Sequence, residues 1–241
     1  MSAIMQYLDL TLATPAANLA CDEALLDACE DGSGAEVLRF WQPEQCFVVA
    51  GYSNEVAREV NVAACRQPAL GVFRRCSGGG TVLQGPGCLN YSLVLRMDGH
   101  PSLESISGAN RLIMERQRAT LAGLLRRPVE VKGCTDLTLG GLKFSGNAQR
   151  RKRHALIFHG TFLLHFDLSL MDRFLQMPSR QPDYRAGRAH DRFLMNLDVA
   201  ASALQDALRE AWGAHTTLSD VPECQRLIEE KYARDDWNLK F

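Results

Sequence analysis

RRCSGGGTVLQGPGCLNYS, residues 74–92, runs two arginines into three consecutive glycines, between flanks that read as strands. Glycine has no Cβ, so such a run can reach φ > 0 and turn its N–H groups toward one point. Backbone nests of that kind cradle anions. Arg74 and Arg75 add permanent positive charge, and strand alternation lets only one of them face the same side as a ligand. The spacing is neither GxGxxG nor GxxxxGK[ST], so the two common nucleotide fingerprints do not apply. A plain glycine-rich connection between two strands is the competing account.

Working outward, VLRFW (37–41), CFVVAGY (46–52), GVFRR (71–75) and LNYSLVLR (89–96) are short apolar runs bounded by Pro, Gly and Asn, and read as strands. Asn18 is placed to cap a helix running to about Asp31, and Ser102 to open a second one to about Leu125. PVEVKG (128–133) follows. In DLTLGGLKFSGN (136–147), Gly140-Gly141 fits a two-residue hairpin turn. ALIFHGTFLLHF (155–166) reads as a long strand, and helices follow at about 169–176, 198–212 and 221–234. The pattern predicts an α+β fold of mixed, mainly antiparallel sheets packed with helices. No repeat or linker divides the chain, so residues 1–241 are expected to form a single domain.

The totals bound the function. The 241 residues are 46% hydrophobic and 23% charged with a net charge of −1, which offers no bulk attraction for nucleic acid or an anionic membrane. No basic segment precedes an apolar run at the N-terminus, and no apolar run approaches a membrane span. The eight cysteines contain no CxxC pair and suit reduced thiols in a cytoplasm.

Three other segments could carry chemistry. In GGLKFSGNAQRRKRH (140–154), Lys143 sits just past the hairpin turn between Leu142 and Phe144, and either snorkels to solvent or points into a site. The run RRKR (150–153) reads as a solvated loop able to steer an acidic partner. In IFHGTFLL (157–164), His159-Gly160 interrupts a strand with a close-approach glycine. Asp136 is either a polar or metal ligand or a turn former. Cys76, beside two arginines, and Cys134, near Lys132, are positioned for a lowered thiol pKa, with burial the plainer account of each.

RRCSGGGTVLQGPGCLNYSLVL, followed by DLTLGGLKFSGNAQRRKRHALIFHGTFLLHFDL, resembles the lipoate–protein ligase family, within the wider group of biotin and lipoyl ligases and octanoyltransferases. The shared blocks RR-x-SGGG-[AT]-V, G-x-x-NYS, K-x-SG-[NS]-A and HG-T-[LF]-L occur in order. NLACDEALL (18–26), LRFWQPEQCFVVAGYSNEVAREVN (38–61), PSRQPDYRAGRAHDRFLMNL (178–197) and KYARDDWNLKF (231–241) extend the likeness over essentially the whole chain.

The resemblance implies the biotin/lipoate ligase catalytic fold and ATP-dependent activation of lipoate or octanoate to an acyl-AMP. The acyl group then passes to the lysine of a lipoyl carrier domain, from a 2-oxoacid dehydrogenase E2 or a glycine-cleavage H-like protein. Lys143 would be the catalytic clamp on carboxylate and phosphate. The adenylate would lie against Arg75, Ser77, Gly78, Gly79, Gly80, Thr81, Val82, Leu83, Asn90, Asp136, Lys143 and Asn147. Lipoate would meet Arg75, Gly79, Lys143, His159 and Gly160, with its tail along Leu93, Phe144 and Phe162. Mg²⁺ would sit at Asp136. Many ligases continue beyond DDWNLKF into an accessory domain, so a separate accessory protein is an expected partner. The octanoyltransferase relatives instead work without ATP, through a cysteine acyl-enzyme. One branch carries its cysteine where this chain has Leu156; in another it precedes the D-[IL] block, the neighbourhood of Cys134. Biotin ligases read GRGRxGR where this chain has RRCSGGG, which argues against biotin.

Overall fold

A computed structural model describes residues 4–66 and 70–241. Eleven strands appear among them: β1 (Gln6–Asp9), β2 (Val37–Trp41), β3 (Phe47–Ala50), β4 (Val72–Arg74), β5 (Val82–Gln84), β6 (Cys88–Arg96), β7 (Val129–Lys132), β8 (Asp136–Leu139), β9 (Leu142–Arg151), β10 (Ala155–Leu163) and β11 (Thr216–Thr217). Eight build a large sheet in the order β11-β1-β2-β6-β10-β9-β8-β7, and β4-β3-β5 make a small one. The pairings of β1 with β2 and β11, and of β3 with β4, are parallel, and the others are antiparallel. The architecture is the expected α+β one. β1 and β11 are short pieces that no sequence pattern announced.

The long helices are α1 (Pro15–Asp31), α2 (Ile106–Leu125) and α3 (Ala201–Trp212). Thr14, not Asn18, caps α1 by accepting from the Ala17 N–H. Asn18 lies a turn inside, buried, with its amide bonded to Leu12 and the Thr14 carbonyl. Ser102 falls in a 3₁₀ turn, and Ser105 caps α2 through the Gly108 N–H. The central strands are buried along nearly their whole length. One face of the large sheet packs with α2 and α3 around Leu38, Phe40, Leu93, Phe144, Phe158 and Phe162. The other face receives α1 through Cys21, Leu25 and Leu26. Leu93, Phe144 and Phe162, expected along a substrate tail, are instead fully buried in the α2-side core.

The hairpin after Asp136 forms as expected, with φ of +58° at Gly140 and +79° at Gly141, a conformation nearly closed to side chains with a Cβ. The pairing then slips. Thr138 opposes Lys143, but Leu137 opposes Ser145, so Phe144 is an extra residue in β9. A bulge of this kind re-aims side chains. Phe144 drops into the core while Lys143 takes the other face, its Nζ beside Gly146. The expected RRKR loop is partly strand: Arg150 and Arg151 end β9, and Lys152 pairs with Asp27 at 2.6 Å.

Candidate functional site

The glycine stretch joins β4 to β5 and lies against the large sheet. Of the three glycines only Gly79 has φ > 0, at +84°. A Cβ on Gly78 or Gly80 would meet nothing within 4 Å, so the loop borders open space there. A cleft of about 280 Å³ opens beside it, lined by Tyr52, Ser53, Cys76, Gly78, Ile106, Gln149, Arg150 and Arg151.

The two arginines divide as alternation demands. Arg74 is fully buried and donates to the carbonyls of Gly51, Tyr52, Asn54, Trp237 and Asn238, pinning the C-terminal segment to the small sheet. Arg75 serves the loop: Nη2 donates to the Gly78 and Gly80 carbonyls at 2.6 and 2.7 Å, and Nε to Ser77 Oγ at 3.1 Å. Burial pulls its pKa down to about 10, so it stays charged at neutral pH. Its donors hold the loop's own carbonyls, which leaves the loop's N–H groups free to be shaped toward an anion.

Behind the loop runs a buried polar chain that no motif announced. Ser77 Oγ lies 2.5 Å from His159 Nε2, and His159 Nδ1 faces the Asp22 carboxylate at 3.6 Å. Asp22 is bound at 2.5 Å by Arg39, which also donates to the Asn18 side chain and carbonyl. Burial alone would push the Asp22 carboxyl up, but Arg39, with His159 and Ser92, outweighs it and holds it below the ordinary carboxylate range. Nearby, Gln84 donates to Thr161 Oγ1 and Thr161 to Asn90 Oδ1, both at 2.6 Å, linking β5 to the large sheet.

The second cluster surrounds Lys143. Its Nζ lies 2.8 Å from Asp136 Oδ1, and Tyr184 donates to Asp136 Oδ2 at 2.7 Å. Both carboxylate oxygens are therefore engaged. Among the described residues no three His, Cys, Asp or Glu side chains gather as a metal site. Asp136, the expected magnesium ligand, would have to give up the Lys143 ammonium or the Tyr184 hydroxyl to hold the ion.

Cys134 stands in the β7–β8 turn, two residues before Asp136, and is the one exposed cysteine of the eight. Thr135 Oγ1 donates to the Asn147 carbonyl at 2.8 Å and Asn147 Nδ2 to the Thr135 carbonyl at 2.6 Å, so the turn is tied to β9. Cys134 thus departs from the buried-thiol account. Cys76 follows it: burial pushes its thiol up to about 12, which leaves no thiolate for chemistry.

The expected residues split between two faces. The glycine loop, Arg75, Ser77, Thr81, Asn90, Lys143 and His159 gather on one side of the large sheet. Asn147 and Gly160 act on the other: the Asn147 amide accepts from Tyr91 and lies over Gly160, where a Cβ would stand 1.8 Å from Asn147 Oδ1. Val82 and Leu83 are paired to β3, with Leu83 in the core of the small sheet. Asp22, Arg39 and Tyr184 escaped the sequence reading. Asp22 and Tyr184 lie within NLACDEALL and PSRQPDYRAGRAHDRFLMNL, but nothing in those segments signals a long-range partner.

The model of the lipoyl protein ligase A/B catalytic domain matches residues 14–211. The chain is 32% identical over 267 residues to octanoyltransferase LipM of Moorella thermoacetica, covering 96% of each. It is 25% identical over 242 residues to lipoate-protein ligase A subunit 1 of Thermoplasma acidophilum, covering 92% of this chain and 91% of that one. A T. acidophilum lipoate protein ligase structure with bound lipoic acid shares the fold at TM-score 0.80 and 22% identity, covering 99% of this chain and all of that one. A further structure of a bi-partite T. acidophilum ligase, described with its E2 lipoyl domain, does so at TM-score 0.80 and 23% identity over 99% of this chain and 96% of that one.

Proposed function

The chain belongs to the lipoyl protein ligase A/B catalytic-domain family, and within it we propose an ATP-independent octanoyl- or lipoyltransferase that works through an acyl-enzyme on Cys134. The observation that carries this reading is the exposed Cys134 on a turn anchored two residues from the Asp136–Lys143 pair. The octanoyltransferase relatives, matched over nearly their full length, support the reaction class.

In the first half-reaction the Cys134 thiolate attacks the carbonyl of an acyl thioester donor. The tetrahedral oxyanion collapses, the donor thiolate leaves, and it takes up a proton. In the second, the ε-amine of a carrier-domain lysine attacks the Cys134 thioester, loses a proton, and releases Cys134 as thiolate. A nearby ammonium favours a cysteine in its thiolate form and stabilises charge developing on the carbonyl oxygen. Lys143 would supply it, with the glycine-loop N–H groups facing the substrate's polar head. The acceptor would be a lipoyl domain, as for the bi-partite ligase relative.

ATP-dependent ligation of lipoate is the second reading. It is favoured by the open space at Gly78 and Gly80 and by the likeness to a ligase subunit. One experiment separates the two. The protein is incubated with octanoyl-loaded acyl carrier protein without ATP, and with lipoate and ATP, as wild type and Cys134→Ser. An octanoyl mass adduct on Cys134, and its loss in the variant, is expected. Lipoate-dependent pyrophosphate release that survives Cys134→Ser, with no adduct, would replace the transferase by the ligase.

A further inference from the structure

Residues 178–195 cross the β8–β9 hairpin as a strap. The Met195 N–H donates to the Lys143 carbonyl at 2.9 Å, Leu194 bridges to Lys143 backbone to backbone, and Arg188 Nη1 reaches the Gly141 carbonyl at 3.3 Å. Within the strap Tyr184 leans on Phe193, ring centroids 5.3 Å apart, and Arg185 and Arg188 lie over the same Phe193 ring. The strap therefore carries its own support, and its Tyr184 side chain reaches the charged pair: the hydroxyl donates to Asp136 Oδ2 at 2.7 Å. The other carboxylate oxygen holds the Lys143 ammonium.

From this geometry we infer that Tyr184 is a positioning residue. Its hydroxyl orients the Asp136 carboxylate, and that carboxylate aims the Lys143 ammonium at the reacting acyl group instead of letting it swing to solvent. The inference rests on the site proposed above. A carboxylate that accepts from both a phenol and an ammonium has its charge shared between them. Without the phenol it is free to rotate and to draw the ammonium more strongly to itself. The lysine is then drawn back from the charge that develops on the acyl carbonyl. The phenol serves as a donor only; burial, with the Asp136 charge beside it, pushes its own pKa up and out of reach of neutral pH. The charged groups facing this cluster are Arg185 and Arg188 on the strap, Asp172 beyond Arg185, and Lys132 opposite Asp136 on β7. None of them takes the place of the hydroxyl on Asp136 Oδ2.

Tyr184→Phe keeps the contact with Phe193 and removes only the donor. The expected result is a fall in kcat of roughly 10- to 100-fold, the scale set by small misplacement of a catalytic group. KM for the acyl donor should stay within about twofold. A fall in kcat at unchanged KM is a split that a merely structural tyrosine would not produce. The melting temperature serves as control. A kcat that superimposes on the wild type overturns the inference, whatever the stability. Full transfer by Cys134→Ser sinks the cysteine reading separately. In that event Tyr184→Phe is read by lipoate- and ATP-dependent pyrophosphate release, in which Lys143 also serves, and unchanged release overturns the inference there too.

Discussion

At the scale of single residues, Gly160 marks a close approach that the sequence announces without naming the side chain that makes it. The sequence offers His159-Gly160 as a strand interruption that brings a ligand near the backbone. In the fold the visitor is intramolecular: the Asn147 amide occupies the space of a Cβ, with the Gly146 carbonyl 2.8 Å from the same point. Gly160→Ala is therefore expected to cost about 1–3 kcal/mol through overpacking, measured as a lower urea midpoint at unchanged m-value. It should also loosen the β7–β8 turn, because the displaced amide is the one that holds Thr135. A variant as stable as the parent would show that Asn147 has another place to go. His159 is the opposite case. It reads as a lone histidine, but its neighbour across the fold is Ser77, 82 positions away in the chain, at the root of the glycine loop.

At the scale of elements, β9 decides the chemistry. Plain alternation puts Lys143 and Ser145 on one face and Phe144 on the other. The extra residue at Phe144 breaks that count at Ser145, which falls in line with Leu137 and Phe162 on the core face beside Phe144, while Lys143 keeps the face of the glycine loop. Lys143→Ala is expected to lower turnover about 10²–10³-fold, the usual effect of losing one stabilising contact to a developing oxyanion. The melting temperature should change little, because the ammonium is partly solvent-exposed and its ion pair contributes little to stability. Turnover within a few-fold of wild type would remove Lys143 from the reacting centre. The hairpin, the strand flanks and the three long helices were legible because their signals are local, paired glycines and apolar spacing, whereas the caps fell at Thr14 and Ser105 instead of Asn18 and Ser102. The bulge was not, since it depends on how β8 and β9 settle against each other and on α2.

At the scale of the molecule, the two sheets and α1 meet across buried charge. Arg39 from β2 and Asp22 from α1 form an ion pair out of water, and Asp22 reaches through His159 to the glycine loop. A carboxyl held below its unfolded value contributes stability that is present above about pH 4 and disappears as the pH falls through the depressed folded value. Thermal unfolding followed from pH 7 to pH 2 should therefore show an acid limb that is flatter in Asp22→Asn. At neutral pH the same variant should be less stable by about 3–5 kcal/mol, because Arg39 keeps a buried charge without its partner. Parallel acid limbs would assign the loss of stability to other carboxylates.

The sequence by itself determined the α+β class, the glycine loop beside a fixed guanidinium, the lysine-bearing hairpin, and family membership, because each is written in neighbouring residues. Only the tertiary structure decided that Ser145 turns inward beside Phe144, that Cys134 is the one fully exposed cysteine, that Tyr184 bonds to Asp136, and that Asp22 joins Arg39 to His159. Those facts depend on strand register, on burial, and on contacts between segments tens to more than a hundred residues apart. Residue spacing along the chain carries no record of such meetings.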